Sequence, residues 1–378
     1  MPLAPAALES LLRLAMVPHV GPGRFATLMA RFGSVDRAIA APQKEIAALP
    51  AFGPELARRV AGAGTPEGRE RARAAAASLA RVGAVGITPD DAAYPEPFRR
   101  LPDPPFLLFA CGDLGLLEKR GIAVVGTRSP TAYGRSAAAS LSGDLAREGY
   151  AVVSGMARGI DSAAHAAALD AGGATVGVLG HGIDRVYPPE NRRLFERMRR
   201  EALLVSELAP GEEPLAGNFP RRNRLIAALS AGVLVVEMGE KSGARHTVEY
   251  ALEQGKDVFA VPGPIGSPAS AGTNQLLKEG ARLVTSAADI LEELHGVGHD
   301  LRPAGIAFNP PPPIRREAPA DLAPEEASVL TALAPEPRHV DDLAVQTGIP
   351  THRLLTALLG LELRELAEAL PGKQFRRC

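Results

Sequence analysis

The sequence contains few of the residues that cross-link a small secreted protein or span a membrane. Only two cysteines, Cys111 and Cys378, occur among 378 residues, too few for a disulfide framework or a cysteine-rich metal site. No apolar run reaches the roughly 18 residues of a membrane span. The N-terminal segment carries Glu9 and Arg13 and lacks the basic region of a signal peptide. We therefore expect a cytoplasmic protein with no metal site and no membrane segment.

Aromatic side chains and net charge are also scarce. The chain has no Trp and only 4% aromatic residues, so base stacking cannot dominate a nucleic-acid site as it does in OB-folds. The formal net charge of −1 argues against a generic polyanion-binding surface. Residues 1–82 contain eleven basic and six acidic side chains, residues 83–320 contain 25 and 28, and residues 321–378 contain six and nine. Any nucleic-acid surface in the middle of the chain must therefore be a local patch.

The pattern along the chain predicts three folded blocks and a linker. Residues 1–82 indicate short helices with Gly-Pro punctuation. Residues 83–296 alternate short apolar runs with helical stretches, which is typical of βαβ units and a parallel sheet. Residues 297–320 contain four consecutive prolines and indicate an extended linker. Residues 321–378 predict a small helical block ending in a hairpin. The predicted fold class is α/β, with an extended Rossmann-like core between two smaller domains.

The first block contains two segments, residues 19–33 and 50–60, in which Gly and Pro precede an amphipathic helix. Such segments are similar to helix-hairpin-helix or SAM-like domains, whose glycines let backbone N–H groups approach a phosphate. Four arginines lie nearby: Arg24, Arg31, Arg58 and Arg59. Because Gly and Pro also simply end helices, a structural or interaction module is the alternative.

The middle block lacks the signatures of the common nucleotide-binding folds. Gly126 follows the first predicted parallel strand, but no glycines follow it at the G-x-G-x-x-G spacing, and the second strand ends in Ser154-Gly155 without an acidic residue. Glu240 separates Gly239 from Lys241 in the nearest approach to a P-loop. We therefore expect no nicotinamide cofactor and no nucleotide hydrolysis.

Instead, the loops that follow predicted strands carry arginines among small residues. Guanidinium groups beside exposed backbone N–H groups suit phosphates, which accept bidentate donors. Because these loops share one edge of a parallel sheet, their arginines would form successive phosphate sites. The candidates are Gly126, Thr127, Arg128 and Ser129 in the first loop, Gly155 and Arg158 in the second, Gly180 in the third, and Arg221, Arg222 and Arg224 in the segment after the fourth.

Several ordered motifs in the same block resemble the bacterial DNA-processing protein A family. They are IAVVGTRSPTAYG (122–134), VVSGMARGIDSAAHAAAL (152–169), GHGIDRVYPPENRRLF (180–195), NFPRRNRLIAALS (218–230), ALEQGKDVFAVPG (251–263) and GTNQLLKEGARLV (272–284). The resemblance is dense over about residues 85–300, and the flanking blocks fit the family's three-domain form.

The resemblance implies a non-enzymatic recombination mediator, without a cofactor. Proteins of this family bind and protect incoming single-stranded DNA during natural transformation, help load the RecA recombinase, and form homodimers. The implied DNA pocket contains Gly126, Arg128, Ser129, Arg158, Phe219, Arg222 and Asn223. Phe219 would stack on a base or pack in the core, and Leu277 and Leu283 match positions of the dimer contact. Ala216 departs from the family pattern, since many relatives carry a basic residue there.

The C-terminal block has a winged-helix outline of two helices and a Pro-Gly hairpin. The second predicted helix offers Thr351, His352 and Arg353 among leucines, and the block has more acidic than basic residues. We therefore expect a protein-interaction or auxiliary module, not a sequence-specific duplex reader.

Two alternatives remain. A nucleotide phosphoribohydrolase-like enzyme would use a similar Rossmann-like domain, and Ser242, Gly243, Thr247 and Glu249 superficially offer the groups it needs. The expected Pro-Gly-Gly run at that strand end is missing, and no carboxylate pair is placed for acid–base chemistry. The second alternative is a RecA-binding adaptor with no affinity for DNA.

Overall fold

The computed structural model describes residues 3–240, 242–295, 322–334, 338–364, 366–370 and 374–377. The chain divides into two compact units at residue 299, and residues 1–82 fall into the same unit as the middle block. The proposed linker, residues 297–320, lies outside the described residues. Over the described ranges, every helix is too short or too polar to cross a membrane.

The first block is helical, as predicted. Its helices are α1 (Pro5–Ala15), α2 (Pro22–Phe32), α3 (Val35–Ala40), α4 (Gln43–Ala47), α5 (Pro54–Gly62) and α6 (Pro66–Arg81). Proline opens α1, α2, α5 and α6, where its missing N–H has no intrahelical partner to lose. Leu12 and Leu79 belong to a core cluster shared with the following strands. The rings of Phe25 and Phe106 stack at 3.9 Å, which also attaches this block to the next.

The middle block is built on one nine-stranded sheet with the order β1-β2-β6-β5-β4-β3-β7-β8-β9. Its strands are β1 (Ala84–Ile87), β2 (Leu108–Gly112), β3 (Gly121–Val125), β4 (Ala151–Ser154), β5 (Thr175–Leu179), β6 (Leu203–Ser206), β7 (Ser230–Val235), β8 (Asp257–Ala260) and β9 (Arg282–Leu283). The seven strands from β6 to β9 in this order are parallel. β3 and β5 are buried throughout, as expected for strands covered by helices on both faces.

The sheet is not parallel at one edge. β1 pairs antiparallel with β2, and β2 pairs antiparallel with β6. The alternation of apolar runs and helices predicted a parallel sheet, but it carries no information on the direction of the two strands that precede the first long crossover helix.

Helices of the middle block cover both faces of the sheet. They are α7 (Glu96–Arg99), α8 (Ala132–Arg147), α9 (Ile160–Asp170), α10 (Arg192–Glu201), α11 (Asn218–Ala228), α12 (Ala244–Glu253), α13 (Ala271–Lys278) and α14 (Ala287–His295). From β3 the chain builds outward through β4, β5 and β6, and then returns to place β7 on the other side of β3. The loops after β3 and β7 therefore diverge, which creates the crevice where open α/β sheets bind ligands.

The C-terminal unit confirms the predicted winged-helix outline. It consists of α15 (Pro324–Ala332), β10 (Arg338–His339), α16 (Val340–Thr347), α17 (Thr351–Leu363), β11 (Ala367–Leu370) and β12 (Gln374–Arg377). The strands form an antiparallel sheet in the order β10-β12-β11. Leu343, Leu354 and Leu358 are fully buried between the helices, so the leucine-rich pattern of α17 partly reflects a core.

Candidate nucleic-acid interface

The carboxyl ends of β3 and β7 border a cleft of about 660 Å³ at the crevice between the two diverging loops. Most of its lining comes from the loop after β3, the first turns of α11, and the loop between β7 and α12. The lining includes Gly126, Thr127, Arg128, Ala157, Tyr187, Ala216, Phe219, Arg222, Asn223, Ser242, Gly243 and Thr247. A smaller pocket of about 160 Å³ adjoins it and includes Ser129, Gly155, Arg158 and His181.

The loop after β3 presents Arg128 to solvent, and backbone hydrogen bonds fix the position of this loop. The Thr127 amide donates to the Glu237 carbonyl at 2.7 Å, and the Thr127 carbonyl accepts from the Ile160 amide at 3.2 Å. A Cβ atom on Gly126 would come within 2.7 Å of Glu237 and Ile160, so only glycine fits between them. Arg128 and Ser129 are exposed. Within the described residues, Arg128 has no hydrogen bond or ion pair, and its guanidinium lies over the Phe219 ring at 5.4 Å.

The loop after β4 is held by a buried carboxylate. Asp161 accepts hydrogen bonds from the amides of Gly155 at 3.0 Å and Ala157 at 3.3 Å. Burial raises the pKa of Asp161, and the nearby charge of Arg222 opposes that shift. Arg158 is exposed at the end of this loop and pairs with Glu190 at 3.2 Å, an exposed pair of the kind that contributes little to stability.

The three arginines of α11 point to two sides of the helix. Arg222 is buried below the cleft, where its Nη1 donates to the carbonyl oxygens of Gly155, at 2.8 Å, and Val178. Its Nε donates to Asn223 Oδ1 at 3.1 Å. Burial lowers the pKa of Arg222 to about 10. These hydrogen bonds from Nε and Nη1 order the loops around the cleft.

Arg221 and Arg224 lie on the other side of α11, because residues three apart share one face of a helix. Both contact the buried Glu207: Arg221 Nε lies 3.5 Å from Glu207 Oε1, and Arg224 Nη2 forms a close ion pair with Glu207 Oε2. Arg224 Nε also lies 3.4 Å from Asp103. The structure does not bring these two arginines to the cleft, and the prediction that Arg224 is a free phosphate donor does not fit its burial.

Phe219 forms part of an aromatic and cationic stack at the mouth of the cleft. Its ring stacks on Tyr187 with the centroids 5.8 Å apart, and the guanidinium of Arg222 lies 6.0 Å from its centroid on the buried side. A Cβ atom on Gly180 would overlap the Phe219 ring at 2.8 Å, which explains the need for glycine there. Phe219 is half-buried, so packing and contact with a ligand are compatible roles.

A larger groove of about 960 Å³ lies at the opposite edge of the sheet, beside the amino ends of β3 and β7. Its lining includes Arg224, already paired with acids, and Lys256, whose Nζ donates to the carbonyls of Ala227, Ala228 and Ser230 at 2.6–2.7 Å. Because ligands bind at the carboxyl edge of such sheets, the smaller cleft is the better candidate site.

Comparison with known proteins identifies the family. A family described as DNA recombination-mediator protein A matches residues 86–295. DNA processing protein DprA of Bacillus subtilis is 46% identical over 202 residues, covering 53% of this chain and 68% of that protein. Protein Smf of Escherichia coli is 40% identical over 293 residues, covering 77% and 76%. This chain belongs to the DNA recombination-mediator protein A family.

Solved structures of family members agree with the fold. The X-ray structure of DNA processing protein A from Streptococcus pneumoniae superposes with a TM-score of 0.60 at 34% identity, covering 78% of this chain and 99% of that one. A structure of the Helicobacter pylori protein, described as showing its single-stranded-DNA-binding mode, gives a TM-score of 0.51 at 31% identity and covers 57% and 97%. The family's winged-helix domain matches residues 310–373, in agreement with the C-terminal unit.

Most of the site residues that were predicted from the sequence lie close together in the structure. Gly126, Thr127, Arg128, Phe219 and Asn223 do line the cleft, and Ser129, Gly155 and Arg158 line the adjoining pocket. Gly180 lies directly against Phe219. Ala216 also lines the cleft, where it presents a methyl group in place of the expected cation.

Three residues that shape the site were not predicted from the sequence: Tyr187, Asp161 and Glu237. Tyr187 lines both pockets, whereas Asp161 and Glu237 hold the two loops through hydrogen bonds. An Asp directly after the Arg-Gly-Ile turn and a Glu just beyond an apolar strand are weak signals, because acidic residues at such positions are usually solvated.

Proposed function

We propose that this protein binds single-stranded DNA along the cleft at the carboxyl ends of β3 and β7 and acts as a recombination mediator. The observation that carries the proposal is the position of Arg128. This exposed guanidinium has no hydrogen bond or ion pair in the described residues, lies over the Phe219 ring, and projects at the topological switch point of the sheet. A free cation beside an aromatic ring suits a phosphate next to an unstacked base.

Fewer residues are proposed to contact DNA than the sequence indicated. Arg128, Ser129 and Arg158 are the exposed polar groups, Phe219 and Tyr187 supply the aromatic surface, and Arg222 supports the loops from below. The related Helicobacter pylori protein is described as binding single-stranded DNA, which supports the same ligand class here.

The direct test is fluorescence anisotropy with a labelled single-stranded oligonucleotide and an unlabelled duplex of the same length as competitor. We expect the single strand to bind and the duplex to compete weakly. The logarithm of the affinity should fall linearly with the logarithm of the salt concentration, with a slope of about −0.7 for each neutralised phosphate. A salt-independent affinity would contradict a phosphate contact, and equal competition by the duplex would contradict the strand preference.

The finer steps of the proposed function are RecA loading and homodimer formation during natural transformation. The resemblance to the family supports both. Leu283 offers a site for the dimer, since it is 55% exposed on β9, an edge strand that pairs only with β8 among the described strands. Leu277, by contrast, packs partly against the core. RecA loading is tested by measuring RecA filament growth on DNA coated with single-strand-binding protein, with and without this protein.

One observation favours a second candidate, a nucleotide phosphoribohydrolase-like enzyme. Ser242, Gly243 and Thr247 all line the cleft. Glu249, however, is exposed and contacts His246 and Arg245 instead of the cleft, so the acid that this chemistry needs is misplaced. Release of free base from nucleoside monophosphates would support the enzyme, whereas DNA binding without base release supports the mediator.

A further inference from the structure

Glu237 is a buried carboxylate whose partners all belong to one loop and helix. It follows β7 and is 1% exposed. Its two carboxylate oxygens accept hydrogen bonds from the Thr131 amide at 2.9 Å and the Thr131 hydroxyl at 2.5 Å. No Lys, Arg or His of the described chain pairs with it. A buried charge is costly unless hydrogen bonds compensate it, so these contacts must serve that purpose.

The position of this carboxylate is the amino end of α8. Thr131 is the N-cap of α8, and its hydroxyl accepts from the Gly134 amide at 3.1 Å while donating to Glu237. The helix dipole and the free amides at such an end favour a negative charge. In dinucleotide-binding folds, the end of the helix that follows the first strand of the βαβ unit holds the pyrophosphate. Here an internal carboxylate occupies that position.

The fit of the carboxylate depends on a glycine in the first turn of the helix. A Cβ atom on Gly134 would overlap the Glu237 carboxylate. The backbone carbonyl of Glu237 meanwhile accepts from the Thr127 amide at 2.7 Å. One residue therefore holds both ends of the segment 127–131, and the exposed Arg128 lies between the two points of attachment.

We propose that Glu237 positions the Arg128 loop for a nucleic-acid backbone through its hydrogen bonds and, as an internal anion, excludes a mononucleotide phosphate from the end of α8. The inference rests on the proposed single-strand binding and assigns to Glu237 a positioning role without contact with DNA.

The test compares four substitutions in the full-length protein by single-strand affinity across a salt series. Glu237→Ala removes the carboxylate, and Gly134→Ala displaces it without changing charge. Each should weaken binding about tenfold, the effect expected for a lost hydrogen bond to a charged group. The salt slope should become shallower by up to about 0.7, because a displaced Arg128 loses its phosphate contact. Glu237→Gln keeps an acceptor for the Thr131 amide and a donor for its hydroxyl, so its affinity should remain within about threefold of wild type.

Gly143→Ala is the matched control, since Gly143 lies in the same helix and a Cβ there would meet its nearest atom at an ordinary 3.5 Å. Its affinity should equal that of wild type. Wild-type affinity in a folded Glu237→Ala or Gly134→Ala protein would overturn the inference, as would a weakened affinity with an unchanged salt slope. If circular dichroism shows that Glu237→Ala is unfolded, the affinities of Gly134→Ala and Gly143→Ala are compared instead, and equal affinities would overturn the inference. Failure of the wild type itself to bind would contradict the proposed function instead.

Inorganic phosphate provides an independent readout. At constant ionic strength it should raise the Tm of Glu237→Ala by about 2 °C or more over chloride, because the vacated helix end can accept an anion. Phosphate also stabilises folded proteins in general, so the wild type should show only a smaller increase. Equal responses of the two proteins would overturn the assignment of this position to an internal anion.

Discussion

Arg222 occupies the space that a side chain on Gly155 would need, and its Nη1 donates a 2.8 Å hydrogen bond to the Gly155 carbonyl oxygen. The same guanidinium reaches the Val178 carbonyl, so one residue of α11 joins the carboxyl ends of β4 and β5. Arg222 therefore stabilises the arrangement of the strand ends around the site, although its sequence context suggested a phosphate contact.

We expect Arg222→Ala to lower the free energy of unfolding by about 2–6 kcal/mol, because it leaves two buried carbonyl oxygens, those of Gly155 and Val178, without their donor. Urea denaturation at neutral pH measures this. Arg222→Lys keeps the charge but loses the planar fork, and it should recover only part of the loss. An unchanged denaturation midpoint for Arg222→Ala would show that the burial of the guanidinium contributes nothing to stability.

The positions of the α11 arginines show which features of the site can be predicted from the sequence and which cannot. The order of the motifs predicted the Rossmann-like core, the winged helix and the strand-end location of the site. The segment NFPRRNR does not reveal that Arg222 turns inward and Arg224 pairs with Glu207, because the buried acids come from distant segments. Asp161 and Glu237 were missed for the same reason: their roles depend on which backbone amides the fold brings beside them.

Arg128→Ala should weaken single-strand binding and leave stability within about 0.5 kcal/mol of wild type, since the side chain is exposed and without polar partners in the described structure. The salt slope should become shallower by about 0.7, the loss of one phosphate contact. Arg147→Ala is a suitable control, because Arg147 is exposed at the far end of α8. Similar losses of affinity in both variants would indicate a diffuse charge effect and not a site.

Phe219→Ala should reduce affinity by the equivalent of about 1–3 kcal/mol if the ring stacks on a base, whereas Phe219→Leu should retain packing and lose most of the stacking. An oligonucleotide with abasic sites separates the two roles. On abasic DNA the wild type and Phe219→Leu should bind equally, because no base is present to stack. A loss of the same size on both oligonucleotides would mean that Phe219 only packs against Gly180 and Tyr187.

His165 predicts a pH-dependent loss of stability. It is fully buried on α9, and its Nδ1 lies 2.7 Å from the Thr175 hydroxyl. Because that hydroxyl donates to the Val152 carbonyl, Nδ1 must donate to Thr175, and the ring is neutral. Burial, reinforced by the charge of Arg222, lowers the pKa of His165 to about 3.

Because the pKa of His165 is lower in the folded state, its contribution to stability is complete above about pH 6.5 and declines as the pH falls toward 3. Between pH 7 and pH 5 the loss should be about 2 kcal/mol. His165→Gln should remove this part of the pH dependence, whatever its effect at pH 7. Urea titrations of both proteins at the two pH values give the difference, and parallel pH dependence would exclude His165 as its source.

Leu283→Glu tests the proposed dimer at the edge of the sheet. The side chain is 55% exposed on β9, so the substitution should leave the fold of the protomer intact while placing a charge against the same residue of a second copy. Contact between identical positions is expected of a two-fold interface. Sedimentation equilibrium should show a dimer for wild type and a monomer for the variant, at equal thermal stability under dilute conditions.

Leu252→Glu is the control, because Leu252 is 62% exposed on α12 and is not part of the proposed contact. A dimer that persists in Leu283→Glu would place the interface on another surface. A monomeric wild type would contradict the proposed homodimer.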